Sequence, residues 1–126
     1  LDNGDYIVID YKTGATTISS LSDERLTEPQ MPIYVLASKK NKALLYAQLQ
    51  QRNIINKGIS ENELDIKGVK SIEKHKNISW QTQLDNWQVK LDTLSDEFIN
   101  GEITAKPSSE ALCKNCDFTT LCGLDR

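Results

Sequence analysis

The most regular pattern in the chain lies in residues 79–100. Trp80, Leu84, Trp87, Leu91, Leu94 and Phe98 alternate steps of four and three, which draws one apolar stripe along a helix. Ser79 supplies an N-cap oxygen at its start and Gly101 a C′ residue at its end. Two tryptophans and a phenylalanine in the stripe predict packing on a domain core rather than a coiled coil. The opposite signature opens the chain. Asp5-Tyr6-Ile7-Val8-Ile9-Asp10-Tyr11-Lys12 is dense in β-branched and aromatic residues, follows an Asn3-Gly4 turn signal and reads as a strand, the second arm of a hairpin.

Thr13-Gly14 ends that strand, and residues 15–27 read as a polar loop. A helix is expected to begin near Thr27 to Pro29, with Thr27 as cap, Pro29 in the first turn and Gln30 completing a capping box. Met31 to Ala37 is apolar on nearly every face, which predicts burial, and Lys39, Lys40 and Lys42 close the helix. The short apolar run from Ala43 to Leu49 is assigned to a strand. Residues 50–78 are mixed and polar, with one short strand expected near Ile66 to Ile72. No internal repeat or low-complexity tract appears.

A chain of 126 residues suits one domain, here 1–126, with a modest core. Its apolar fraction of 38% and charged fraction of 26% describe a polar chain, far from a disordered composition. No run of about 20 apolar residues and no basic-then-apolar leader occurs, so neither a spanning helix nor a signal peptide is legible. The net charge of -3 would argue against a nucleic-acid partner if it were spread evenly. It is not. Residues 39–90 hold ten of the fifteen Lys and Arg against five acids, a local balance of +5. That asymmetry permits either an electropositive face for a phosphate backbone or a solvated lysine-rich surface.

Three groups of residues could carry chemistry. Asp10 and Lys12 are two apart on a strand and so share a face. A carboxylate of this kind suits a hard cation such as Mg²⁺, and a neighbouring lysine can orient a metal-bound water; an ordinary strand-end ion pair is the plainer alternative. Gln30 and Tyr34 form an i,i+4 pair on one helix face. Cys113, Cys116 and Cys122 sit within ten residues, and the preceding 112 residues contain no other cysteine. An odd number excludes a closed disulfide set and favours a reducing compartment, with an iron–sulfur cluster, zinc or free thiols as the possible states. His75, flanked by Lys74 and Lys76, reads as a surface residue.

Taken in order, Asp10-Tyr11-Lys12-Thr13-Gly14, Gln30-x3-Tyr34 and Cys113-x2-Cys116-x5-Cys122 resemble the downstream half of the RecB/AddB-type exonuclease domains of the PD-(D/E)XK nuclease superfamily. Trp80 to Gly101, the Pro107 loop and Cys113 to Cys122 look like the C-terminus of bacterial RecB-family DNA-repair proteins. CRISPR-associated RecB-like exonucleases share the cysteine spacing. The resemblance implies an α/β fold: the C-terminal portion of a restriction-endonuclease-like domain, with a short mixed sheet flanked by helices and a Cys-rich tail over residues 107–126.

It also implies roles. Asp10 matches the family's acidic metal ligand and Lys12 its lysine, with Mg²⁺ or Mn²⁺ as cofactor. Gln30 and Tyr34 match the Q-x3-Y motif beside the active site. Cys113, Cys116 and Cys122 match three of four ligands to a [4Fe–4S] cluster. The family's upstream Glu helix, its G-x-x-D-R-x-D strand and its first cysteine are expected before residue 1, so the chain reads as a piece of a longer protein. The implied activity is metal-dependent DNA exonucleolysis by the full-length cytoplasmic repair or recombination protein, with the 126-residue piece expected to be inactive alone. DNA is the implied partner, along with a helicase subunit or a helicase-like region of the same chain, and no membrane. A catalytically silent DNA-binding or scaffold module is the alternative from another class.

Overall fold

The computed structural model describes residues 1–102, 104–114, 116–118 and 121–122. The turn signal and strand at the start behave as expected. Gly4 adopts φ +83°, which favours glycine, its amide donates to the Leu1 carbonyl at 3.0 Å, and β1 runs over Tyr6–Lys12. The apolar run beyond it is the longer strand β2, Asn41–Gln50. Ala43 to Ala47 is buried at every position, as suits a central strand with a neighbour on each side.

Strand β3, Asn53–Ser60, was not legible in the sequence. Asn53, Asn56, Lys57 and Gly58 break any apolar alternation, so only pairing with β2 makes this segment a strand. The close approach needs its glycine: a Cβ on Gly58 would lie 2.6 Å from Leu45 Cβ. Strand β4, Val69–Ser71, falls inside the span expected to hold a short strand. The sheet order is β1-β2-β3-β4, with β1–β2 and β3–β4 parallel and β2–β3 antiparallel.

Helix α1 is Gln30–Leu36, α2 is Ile72–Lys76, α3 is Trp80–Ile99 and α4 is Glu110–Lys114. Helix α3 has the expected limits: the Ser79 side chain accepts from the Thr82 amide, and Gly101 has φ +70° just beyond the Asn100 cap. Its stripe is buried only in part. Trp80 and Trp87 are enclosed and meet edge to face with ring centroids 6.0 Å apart, whereas Phe98 is 87% exposed. The Trp87 indole donates to the Leu21 carbonyl at 2.8 Å.

Three expectations around α1 need correction. The capping box does not form: Pro29 occupies the cap without a side-chain bond, and the Thr27 hydroxyl instead donates to Asp23. Pro29 and Pro32 carry no amide hydrogen, which leaves the first turn fewer donors to cap. The helix is not buried all round, since Ile33 and Tyr34 are exposed while Met31, Pro32 and Val35 face the core. It ends at the Ala37 cap, ahead of the lysines; Lys42 already lies in β2. The polar loop of residues 15–27 also conceals structure. It holds a 3₁₀ turn, Ser19–Ser22, and sends Leu21 and Leu26 into the core.

One core results. Val8, Leu44, Tyr46 and Ile59 on one sheet face pack against Met31, Val35, Ile72, Trp80 and Trp87 from the helices. On the other face of the sheet Ile9, Tyr11, Leu49 and Ile54 are exposed. The architecture is a four-stranded mixed sheet flanked by helices, as the resemblance implied. The tail expected over residues 107–126 lies partly outside the described residues.

Candidate active site

Register across the sheet places the site. Asp10 on β1 is opposite Tyr46 on β2, which is opposite Lys57 on β3; Lys12 is opposite Gln48, and Gln48 opposite Ile55. Side chains paired in register share a face, so Asp10, Lys12, Tyr46, Gln48 and Lys57 all project toward the helix-covered side. Charge is thus set at the C-terminal end of a strand whose earlier residue on that face, Val8, packs against the core.

Asp10 and Lys12 form an ion pair, Nζ to Oδ2 3.1 Å. The Asp10 Oδ2 atom is buried, and the Lys12 ammonium is its one close cationic partner among the described residues. A second acid approaches the same ammonium: Glu28 Oε2 lies 3.9 Å from Lys12 Nζ. The Asp10 carboxylate holds Lys12 above the usual lysine range; partial burial opposes this and Glu28 adds to it. The Tyr46 ring lies beneath the ammonium, 5.6 Å from Nζ to its centroid. Burial pushes the Tyr46 phenol well above its ordinary value, and the Glu28 charge pushes it further. The Tyr46 hydroxyl is itself buried without a well-formed hydrogen bond.

Gln30 and Tyr34 stand beside this cluster. The Gln30 side-chain amide donates to the Tyr34 hydroxyl at 3.0 Å, and both line an open groove of about 470 Å³ with Lys12, Glu28, Pro29 and Ile33. The structure therefore brings together Asp10, Lys12, Gln30 and Tyr34. Sequence reading missed Glu28, Tyr46, Gln48 and Lys57. Tyr46 was hidden in an apolar run and Lys57 in a segment not seen as a strand. Glu28 could have been suspected, as it is two residues from Gln30.

The cysteines are not assembled in the same way. Cys113 lies in α4, and the Cys116 amide donates to its carbonyl at 3.3 Å, while the Cys122 amide donates to the Phe118 carbonyl at 3.2 Å. Among the described residues no three His, Cys, Asp or Glu side chains gather as a ligand set. His75 is exposed on α2, as expected.

The family profile of the PD-(D/E)XK nuclease superfamily matches residues 1–123. The chain belongs to the PD-(D/E)XK nuclease superfamily. No curated protein and no solved structure gives a significant match. Superfamily members are generally nucleases that use divalent metals such as Mg²⁺. Asp10 fits such an ion in one respect: it offers a buried carboxylate oxygen whose charge calls for a cation, a place held here by the Lys12 ammonium at 3.1 Å.

DNA, the substrate that a PD-(D/E)XK nuclease domain suggests, calls for positive surface. Much of the basic block in residues 39–90 is already committed within the fold. Lys42 pairs with Glu61 and Lys74 with Glu63, and Lys57 donates to the Thr16 carbonyl. Lys76 and Lys90 both converge on Ser22, where burial and the neighbouring Lys90 charge lower Lys76 below the usual lysine range. Lys39, Lys40, Arg52, Lys67 and Lys70 remain exposed. No helix among the described residues is long and apolar enough to cross a membrane.

Proposed function

We propose that this chain is the downstream part of a metal-dependent DNA exonuclease domain of RecB/AddB type, acting within a larger repair or recombination protein. One observation carries the reading. Asp10 and Lys12, which the resemblance matches to the family's acid and lysine, form a 3.1 Å ion pair on one strand face, and the Asp10 oxygen in that pair is buried.

Each residue then has a task that follows from its place. Asp10 is the carboxylate that holds the divalent ion. When bound, that ion supplies charge neutralisation and a more acidic water. Lys12 keeps a fixed positive charge where negative charge develops on the phosphate during hydrolysis. Gln30 and Tyr34, joined by their hydrogen bond on the rim of the groove, orient the strand that enters it. Exposed Lys39, Lys40, Arg52, Lys67 and Lys70 supply the long-range attraction for the DNA backbone.

The cysteine segment is assigned separately, on donor chemistry alone. Three thiolates within ten residues suit a [4Fe–4S] cluster completed by a fourth cysteine upstream. It takes no part in hydrolysis.

The test, made on the full-length protein, is cleavage of single- and double-stranded DNA ends in Mg²⁺ or Mn²⁺, run beside a binding assay. Asp10→Asn and Lys12→Ala should each abolish cleavage, and the double variant should be no worse than either, because both act at one site. Binding should survive Lys12→Ala. Full cleavage by Asp10→Asn would remove this strand from the active site. Binding without cleavage by the unaltered protein would favour a silent module.

A further inference from the structure

The assignment of Asp10 to a metal, on which this inference rests, leaves a conflict at one atom. Asp10 Oδ2, the oxygen offered to a divalent cation, is the oxygen that Lys12 Nζ approaches to 3.1 Å. A cation and an ammonium cannot share it without strong repulsion, because both are positive and the site is partly buried. The repulsion is relieved if Lys12 swings aside to a second acid that keeps it at the site.

Only one other acid lies within ion-pair distance of Lys12 among the described residues. Glu28 Oε2 is 3.9 Å from Nζ, on the side of the groove shared by Gln30 and Tyr34. A lysine head on a flexible four-carbon stem can exchange one partner for the other by a small swing. Two features hold Glu28 ready. Its C-terminal neighbour Pro29, at φ -72°, is the N-cap of α1 and stiffens the backbone there. The buried Tyr46 hydroxyl, which otherwise lacks a hydrogen bond, is a donor at neutral pH and has the Glu28 carboxylate as its neighbour.

We propose that Glu28 is a positioning residue: it receives the Lys12 ammonium when a divalent cation takes Asp10, and the Tyr46 hydroxyl steadies its carboxylate in that role. Glu28 thereby favours metal entry without ligating the metal, and keeps the lysine charge beside the reacting phosphate.

Calorimetric titration with Mn²⁺ tests this without turnover, on the full-length protein, unaltered and as Glu28→Gln, Lys12→Met, the double variant and Asp10→Asn. Glu28→Gln should weaken Mn²⁺ binding by about three- to tenfold, the scale of one partly exposed charge pair. In the Lys12→Met background the same change should cost no more than about twofold, a screened long-range effect. Lys12→Met alone should bind Mn²⁺ more tightly than the unaltered protein, and Glu28→Asp should recover part of the affinity lost in Glu28→Gln. An equal or larger loss in the Lys12→Met background would make Glu28 a direct ligand and overturn the proposal. No loss in either background would make it a bystander and overturn it equally. Asp10→Asn separates the two levels. If Asp10→Asn loses Mn²⁺ while Glu28→Gln behaves otherwise than stated, only this inference falls. If Asp10→Asn binds as the unaltered protein does, or no Mn²⁺ binds at all, the assignment of the active site falls with it.

Discussion

Trp87 and Leu21 are 66 positions apart in sequence, and the Trp87 indole donates to the Leu21 carbonyl at 2.8 Å. This bond ties the middle of α3 to the 3₁₀ turn that follows β1, and both residues are completely or almost completely buried. The long helix therefore supports the loop leading from Lys12 to Glu28 as well as covering the sheet.

Trp87→Ala should destabilise the protein by roughly 3–5 kcal/mol, the usual cost of emptying a large aromatic site. Part of that cost is the Leu21 carbonyl left buried without its donor. Denaturant melts monitored by circular dichroism give the value directly. A loss below about 1 kcal/mol, within the range of ordinary surface changes and small adjustments, would mean that the core does not depend on this contact.

Gln30→Ala should separate positioning from folding. Its amide bonds the Tyr34 hydroxyl on an exposed rim, so stability should change by less than about 0.5 kcal/mol. Cleavage should fall by about tenfold, through lost orientation rather than lost chemistry. That is far less than the loss expected for Asp10→Asn. A Gln30→Ala protein with unaltered cleavage would show that the pair has no part in catalysis.

Glu97 gives the fold a pH dependence. The Arg25 guanidinium, joined by Lys106, holds its carboxyl below the usual range. A group whose folded value is depressed contributes stability above its unfolded pKa, and that contribution is lost as pH falls through the folded value. The melting temperature should therefore drop on acidification below the ordinary glutamate range, and Glu97→Gln should flatten that part of the profile. A Glu97→Gln curve parallel to that of the unaltered protein would assign the acid loss to other carboxylates.

Cys113, Cys116 and Cys122 should bind iron and sulfide in near-equal amounts when the full-length protein, with its fourth cysteine, is purified without oxygen. Serine at any one of them should lower both. One zinc per chain in their place would end the cluster assignment and leave the nuclease assignment untouched, because the cysteines lie outside the groove bounded by Lys12, Gln30 and Tyr34.

The sequence alone determined the features that depend on local pattern. A seven-residue strand and a 20-residue helix announced themselves through composition and period, and Ser79 and Gly101 marked the helix ends because capping is a local hydrogen-bonding problem. Asp10 and Lys12 were placed on one face by strand alternation, and the ordered motifs pointed to the superfamily whose profile matches residues 1–123. Tertiary structure decided what depends on distant segments. Strand β3 exists because β2 pairs with it, since its own polar residues and Gly58 specify no strand. Thr27 caps nothing because α1 starts later, at Gln30, with Pro29 in the cap position. Tyr46 and Glu28 join the site only when β2 lies against β1 and the start of α1 closes over Lys12. Periodicity records which face a residue takes on its own element, whereas the partners of a buried charge are chosen by the packing of elements against one another.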